Sequence, residues 1–373
     1  MNKCKLGDVA SVIISNVDKK SYENEIKVKL CNFTDVYYNW AITLRDEPKL
    51  MIATATNNEI CKYKLHKGDV AITKDSETKE DIGQSTLIAD EIPDILLGYH
   101  CALIRPNTDK LLGAYLNAVL HTKLATRYFE LNASGSGQRY TLSVDAINDF
   151  QLYLPSINEQ ERISKILTDI DRKIENNTCI NDNLQQELCL IYEHIMSQSK
   201  KGLILGTHAI ASELSEITTG REDANFADTN GKYKFFTCSS ETLKCNHYAF
   251  NSSSILIAGN GEFNVKHFSG KFNAYQRTYV LTPKQEHYGL LYLACLYQIK
   301  SFKSSSAGSI VKFITKGDID NIPVFIPDDG NYLIQMNKLL DLQEMRLREN
   351  EKLLALRDFL LPLLMNGQAT IAE

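Results

Sequence analysis

The sequence predicts an α+β protein in which two pseudo-symmetric mixed α/β domains are separated by two long antiparallel coiled-coil helices. Three observations lead there. The segments TLSVDAINDFQLYLP (141–155) and FITKGDIDNIPVFIP (313–327) align with Leu142 on Ile314, Ile147 on Ile319 and Pro155 on Pro327, a constant shift of 172. Each copy leads into a long stretch whose apolar residues recur at alternating steps of four and three. The chain has 373 residues, 43% apolar and 23% charged, which is ordinary for a folded protein and enough for two cores. A repeat of this size is a domain and not a solenoid unit. The domains are expected at 1–155 and 201–327, with the helices at 156–200 and 328–373.

The first domain reads as mostly β. VASVIIS, KVKLCNF, GDVAITK and HCALIRP are short β-branched runs separated by turn residues such as Lys67-Gly68-Asp69. One helix is expected over 111–131, with Leu116, Val119, Leu120, Leu124 and Tyr128 at helical spacing, ending at the flexible loop Ser134-Gly135-Ser136-Gly137. Pro155 then stops a strand and Ser156 is a candidate N-cap.

From there to Ser199 the chain has no Pro or Gly. Positions 163, 167, 170, 174, 177, 181, 184, 188, 191 and 195 form a seam that is apolar except for Asn177 and Asn181. Roughly 44 residues at 1.5 Å each give a helix of about 65 Å. The second domain opens after Lys200-Lys201-Gly202. Its clearest strands are SSSILIAGNGEF and KFNAYQRTYVL, with Asn260-Gly261 as a tight loop, and a helix over 288–302 precedes the Ser-rich segment 304–309. The last helix repeats the seam from Leu333 through Met336, Leu340, Gln343, Leu347, Asn350, Leu354, Arg357 and Leu361 to Leu364, with Pro362 expected to end or kink it. Relative to the first helix the shift is now 173, so Asn177 matches Asn350. Two matched helices under twofold pseudo-symmetry must run antiparallel, which brings equivalent positions together. Asn177 and Asn350 are therefore expected to meet and fix the register, the alternative being two independently solvated side chains.

Several function classes are disfavoured. The chain holds no G-x-x-x-x-G-K-[ST] loop, no Asn-Pro-Pro-Tyr segment for amino-group methylation and no H-E-x-x-H spacing. His66, His100, His121 and His247 are expected to be polar surface or half-buried residues rather than ligands. Nine scattered Cys without a CxxC pair suggest free thiols and no zinc site. No apolar run would span a bilayer and the N-terminus lacks a signal-like apolar stretch, so the expected location is cytoplasmic and no membrane partner is expected. The net charge of −5 counts against a free-standing nucleic-acid binder, although an acidic total can coexist with a basic face.

The segment LPSINEQERISKILTDIDRKIENN (154–177) resembles the central region of the specificity subunits of Type I restriction–modification systems. In that family a strand ending in Pro leads through Glu-Gln into an Ile/Leu-spaced helix with an Asp near its middle; here Pro155, Glu159, Gln160, Ile163, Leu167, Asp171 and Ile174 occupy those places. GDVAITKDSETKEDIG (68–83), GKFNAYQRTYVL (270–281) and LLPLLMNGQ (360–368) resemble further segments of the family. The second copy departs from the pattern, since Pro327-Asp328-Asp329-Gly330-Asn331 lacks the Glu-Gln pair. The resemblance implies two target-recognition domains, each reading half of a bipartite site on double-stranded DNA. It implies helices that set the unread spacer and dock two methyltransferase subunits, with restriction endonuclease/translocase subunits joining the full complex. No cofactor is implied on this chain; S-adenosylmethionine, ATP and Mg belong to the partner subunits. No catalytic or metal-binding residue is expected.

Base readout needs Arg, Lys, Gln or Asn side chains projecting from loops, whereas hydroxyls and lysines mostly position phosphates. In the first domain this selects Gln138 and Arg139 as readers, Ser134, Ser136 and Tyr140 near the backbone, and Lys74, Ser76 and Thr78 as a second polar cluster. In the second it selects Asn260, Lys266, Gln276, Arg277, Ser305, Ser309 and Lys312. Gln276 and Arg277 lie inside an apparent strand, which leaves a structural role equally open. The two domains match poorly outside the repeat, so an asymmetric target is expected. Other readings are a subunit of a related system with cleavage and methylation fused on one partner, a coiled-coil protein-interaction scaffold, and a hydrolase with an unrecognised site.

Overall fold

The computed structural model of the chain describes residues 2–137, 139–305 and 313–366. They form two compact units. One comprises Met1–Ile174 with Lys352–Glu373 and the other Glu175–Glu351.

In the first unit a five-stranded sheet runs in the order Ala10–Ile14, Cys101–Pro106, Val70–Thr73, Ser85–Ile88, Ala41–Ile42. Two of its three inner strands, Val70–Thr73 and Cys101–Pro106, are buried on both faces over most of their length, which is why they read as continuous apolar runs instead of alternating ones. The alternation shows in which core each residue enters. Val70, Ile72, Ala102 and Ile104 pack with Leu116, Phe129 and Phe150, while Ala71, Cys101 and Leu103 pack with Ile42, Ile88 and Leu97. A three-stranded sheet (Met51–Ala55, Ile26–Cys31, Ile95–Leu97) adds a further layer.

The single helix expected over 111–131 is two helices, Gly113–Leu120 and Lys123–Asn132. Thr122 divides them. Its hydroxyl donates to the Val119 carbonyl (2.7 Å) and accepts from the Ala125 N–H (3.3 Å), so it closes one helix and caps the next.

The second unit is built on a six-stranded sheet in the order Ser215–Thr219, Thr278–Pro283, Phe250–Ala258, Val265–Ala274, Tyr233–Phe236, Thr242–Cys245. All its pairings are antiparallel except that of Tyr233–Phe236 with Val265–Ala274. The helix Tyr288–Ser305 packs on it through Leu290, Leu291 and Leu293.

The repeat read in the sequence is a repeat in structure. Ser143 caps the short helix Val144–Asn148, and Thr315, its match at a shift of 172, caps Lys316–Asp320. Each short helix leads into a strand, Gln151–Leu154 or Pro323–Pro327, that pairs antiparallel with the opening strand of its own unit, Asn2–Lys5 or Gly206–Ile210. Each strand then feeds a long helix, Ile157–Lys200 or Asn331–Met365. Pro362 lies inside the second of these, which continues past it to Met365.

Within each unit, segments of the two long helices run antiparallel. In the first unit Ile163 and Leu167 share a core with Leu361 and Leu364, and Asp171 lies 3.9 Å from Arg357. Arg357 also stacks on Trp40, 4.8 Å from the ring centre. In the second unit Asn177 Nδ2 donates to Asn350 Oδ1 (2.8 Å) and to Glu349 Oε2 (2.9 Å). Farther along, Gln343 Nε2 donates to the Asn181 carbonyl (3.0 Å), and Met336 and Leu340 close the seam with Leu188 and Ile195. Within the second unit the seam is thus polar at Asn177 and Asn350 and apolar around Met336 and Leu340.

Candidate nucleic-acid interface

In the first unit the candidates from two distant stretches of sequence meet on one small sheet. Ser134–Ser136 pairs with Arg139–Thr141, which pairs with Asp75–Ser76. The expected loop at 134–137 is therefore the first strand and turn of a hairpin. Gly135 is required there: its φ is +128°, and a Cβ would come within 2.3 Å of the Arg139 carbonyl oxygen. Gln138 lies outside the described residues.

Register divides the candidates between two faces. Tyr140 stands opposite Gly135 and Ser76, whereas Thr141 stands opposite Ser134 and Asp75, and Arg139 opposite Ser136. Side chains alternate along a strand, so Arg139, Ser134, Ser136 and Asp75 share one face and Tyr140 and Ser76 the other. The Lys79 ammonium lies 5.4 Å from the Tyr140 ring centre.

Lys74 does not project freely. Its Nζ sits 2.9 Å from both carboxylate oxygens of Asp75, and the side chain is only 13% exposed. His100 Nδ1 lies 2.7 Å from Asp75 Oδ2, and Arg139 Nη2 donates to the same oxygen at 3.2 Å. Burial opposes ionisation of Asp75, but hydrogen bonds from Lys74, Thr141 and His100 outweigh it and hold the carboxyl well below the usual carboxylate range. Arg139 itself stays 58% exposed. Ser76 Oγ accepts from the Thr78 N–H (3.3 Å), Thr78 Oγ1 donates to Asp81 (3.1 Å) and Ser134 Oγ donates to the Thr141 carbonyl (3.2 Å).

In the second unit three loops converge, at 237–241, 259–264 and 275–277. The Gly259 N–H donates to the Arg277 carbonyl (2.9 Å), Asn264 Nδ2 to the Cys238 carbonyl (3.0 Å) and Ser240 N–H to Glu262 (2.9 Å). Gln276 and Arg277 do not lie within a strand. They form the turn between Val265–Ala274 and Thr278–Pro283, closed by the Thr278 N–H donating to the Tyr275 carbonyl (2.8 Å). Gln276 Nε2 donates to Asp223 Oδ1 (2.9 Å). Lys266 is bound to the neighbouring loop through the Ser239 (2.7 Å) and Glu241 (3.3 Å) carbonyls, and burial lowers its pKa. Asn260 follows Gly259 in the 259–264 loop. Ser305 is the last residue of its helix, and Ser309 and Lys312 lie outside the described residues.

Sequence reasoning missed Asp75, Tyr99, His100, Lys79 and Tyr38. Tyr99 packs against His100 with its ring tilted by 58° (3.8 Å between ring centres), and its hydroxyl contributes to raising the Arg139 pKa. Tyr38, 70% exposed, bonds Asp81 through its hydroxyl (2.7 Å). Tyr38 and His100 have φ of +55° and +72°. Left-handed backbone at a bulky residue is sparsely populated and has no sequence signature. Among the described residues no cluster of three or more His, Cys, Asp or Glu could hold a metal ion, and no helix is long and apolar enough to cross a membrane. All nine cysteines are free thiols.

Two units with a shared helix-linked plan and loop-borne polar clusters define a class, and comparison with known proteins supplies its family. The model of the Type I restriction modification DNA specificity domain matches residues 1–186 and 211–338, and the chain belongs to that family. It is 38% identical over 165 residues to the Type I restriction enzyme EcoDI specificity subunit of Escherichia coli, covering 42% of this chain and 37% of that one. It is 27% identical over 187 residues to the HindI specificity subunit of Haemophilus influenzae, covering 48% and 37%. The matches thus span little more than a third of the length of these curated relatives. The crystal structure of a Type I restriction–modification S subunit from M. genitalium shares the fold, with a TM-score of 0.61 at 14% identity over 100% of this chain and 96% of that one.

Proposed function

We propose that this chain is the non-catalytic DNA-specificity subunit of a Type I restriction–modification complex. Each unit reads one half of an asymmetric bipartite site, and the paired helices set the spacer and dock two methyltransferase subunits. The observation that carries this reading is the family match in both halves of the chain, each half ending in its own capped helix, strand and long helix. The unlike loop clusters support an asymmetric target: a hairpin with Arg139 in one unit, and three converging loops with Asn260, Gln276 and Arg277 in the other.

The reading also answers the net charge of −5, since methyltransferase subunits can share the phosphate contacts. S-adenosylmethionine, ATP and Mg act on those partners and on the endonuclease/translocase subunits. The Asn177–Asn350 bond favours one helix register, because any slipped pairing strands a buried amide. Single-molecule methylome sequencing of source-cell DNA with and without the gene tests the proposal. Loss of one gapped N6-methyladenine motif on deletion supports it. An unchanged methylome, in cells shown to express this chain and its methyltransferase, refutes it.

A further inference from the structure

Asp75 gathers more positive charge than one carboxylate needs. It is 7% exposed, and Lys74, placed symmetrically on both its oxygens, already neutralises it. A pair that served only stability would be complete at that point. Arg139 is added on the solvent side, 58% exposed, which leaves the group with a net charge of +1 when His100 is neutral. The surplus sits at the surface, on the face of the sheet that also carries Ser134 and Ser136.

The arrangement also fixes where Arg139 points. A long side chain on an exposed hairpin loses rotamer freedom on binding unless it is ordered beforehand. Here the strand is locked against Ser134–Ser136 by the Gly135 approach, and Nη2 is tied to Asp75. His100 Nδ1 lies beside this contact, 2.7 Å from Asp75 Oδ2 and 3.1 Å from Arg139 Nη2. His100 is itself held by the Tyr99 ring and by the Lys74 N–H, which donates to its carbonyl at 2.9 Å.

We propose that Asp75 is a positioning residue for sequence reading, holding one edge of the Arg139 guanidinium so that the remainder of its planar fork is presented to a base in one half-site. Guanine is the expected target, since the fork matches its O6 and N7 acceptors. The proposal rests on the reading of the chain as a DNA-specificity subunit.

The test uses the full chain in complex with its methyltransferase, on duplexes carrying the complex's own methylation motif and every single-base variant of it. Arg139→Ala should lower discrimination at one base pair of one half-site by about tenfold or more, the scale of one bidentate base contact. Asp75→Asn, which keeps size and shape, should relax the same base pair and leave the other half-site unchanged. The double variant should be no worse than Arg139→Ala, because Asp75 acts through Arg139. Asp75→Ala leaves Lys74 buried without its partner and can fail to fold, so the Asn variant carries the test. A lowered melting temperature in Asp75→Asn with discrimination intact at every position overturns the proposal. So does Arg139→Ala with unchanged specificity, an outcome that leaves the specificity role standing. A wild-type complex that methylates no defined motif removes the underlying reading instead.

Discussion

Replacing Asn177 with Ala removes two hydrogen bonds at once. One is a neutral bond to Asn350 Oδ1 at 2.8 Å and the other a charge-assisted bond to Glu349 Oε2 at 2.9 Å. The first contributes about 1 kcal/mol and the second about 1.5–3 kcal/mol. Against this, Asn177 Oδ1 is buried with no hydrogen-bond partner, so its removal relieves a penalty of about 1 kcal/mol. The expected net loss is therefore about 2 kcal/mol. A double-mutant cycle separates the parts: Asn177→Ala, Asn350→Ala and both together, followed by urea unfolding with helix circular dichroism. The Asn–Asn bond is shared by the two sites, so the coupling should be about 1 kcal/mol, whereas the Glu349 bond belongs to Asn177. A coupling indistinguishable from zero would refute the argument that this pair is made across the helices.

Other expectations follow from single residues. Thr122→Ala should destabilise the first unit by about 1 kcal/mol, read from the fluorescence of the lone tryptophan, Trp40, because it removes the cap that divides two helices. Gly135→Ala should abolish reading of one half-site while Trp40 unfolding is little changed, since the collision is confined to the small hairpin. Burial pushes the pKa of His121 down to about 4, reinforced by Arg357 and opposed by the Asn117 carbonyl. The native state therefore binds fewer protons than the unfolded state below pH 6.5, and stability should fall as pH drops from about 6.5 to 4. The loss is on the order of 2 kcal/mol after discounting for the ring's partial exposure. His121→Gln should flatten this dependence in Trp40-monitored melts; an unchanged acid slope would assign it elsewhere, for example to His267 in the other unit, also pushed down to about 4 by burial.

The long helices were legible because a 4/3 seam is a local periodic signal, and Pro155 with Ser156 marks where the first begins. The repeat was legible because Leu142 and Ile147, and their matches Ile314 and Ile319, are buried and so constrained in the same way in both copies. The break at Thr122 was hidden by apolar spacing that continues across it. The site was the least legible part. Pairing of Asp75–Ser76 with Arg139–Thr141 joins residues more than sixty positions apart, and nothing local announces it. Lys74 reads as an exposed cation until its neighbour Asp75 is seen to be buried beneath it. Gln276 and Arg277 read as strand because their neighbours are strand residues on both sides, while the turn is closed by a backbone bond from Thr278 to Tyr275 that leaves no trace in side-chain pattern.

The central claim is that each unit reads its own half of one gapped site, and the methylated motifs of two variants test it most directly. Arg139→Ala and Arg277→Ala would be introduced separately into the source cell and their methylomes sequenced. The account predicts relaxed or lost recognition in opposite halves of the motif, with the spacer unchanged in both. Changes by both variants in the same half, or a wild-type motif without a gap, would contradict it.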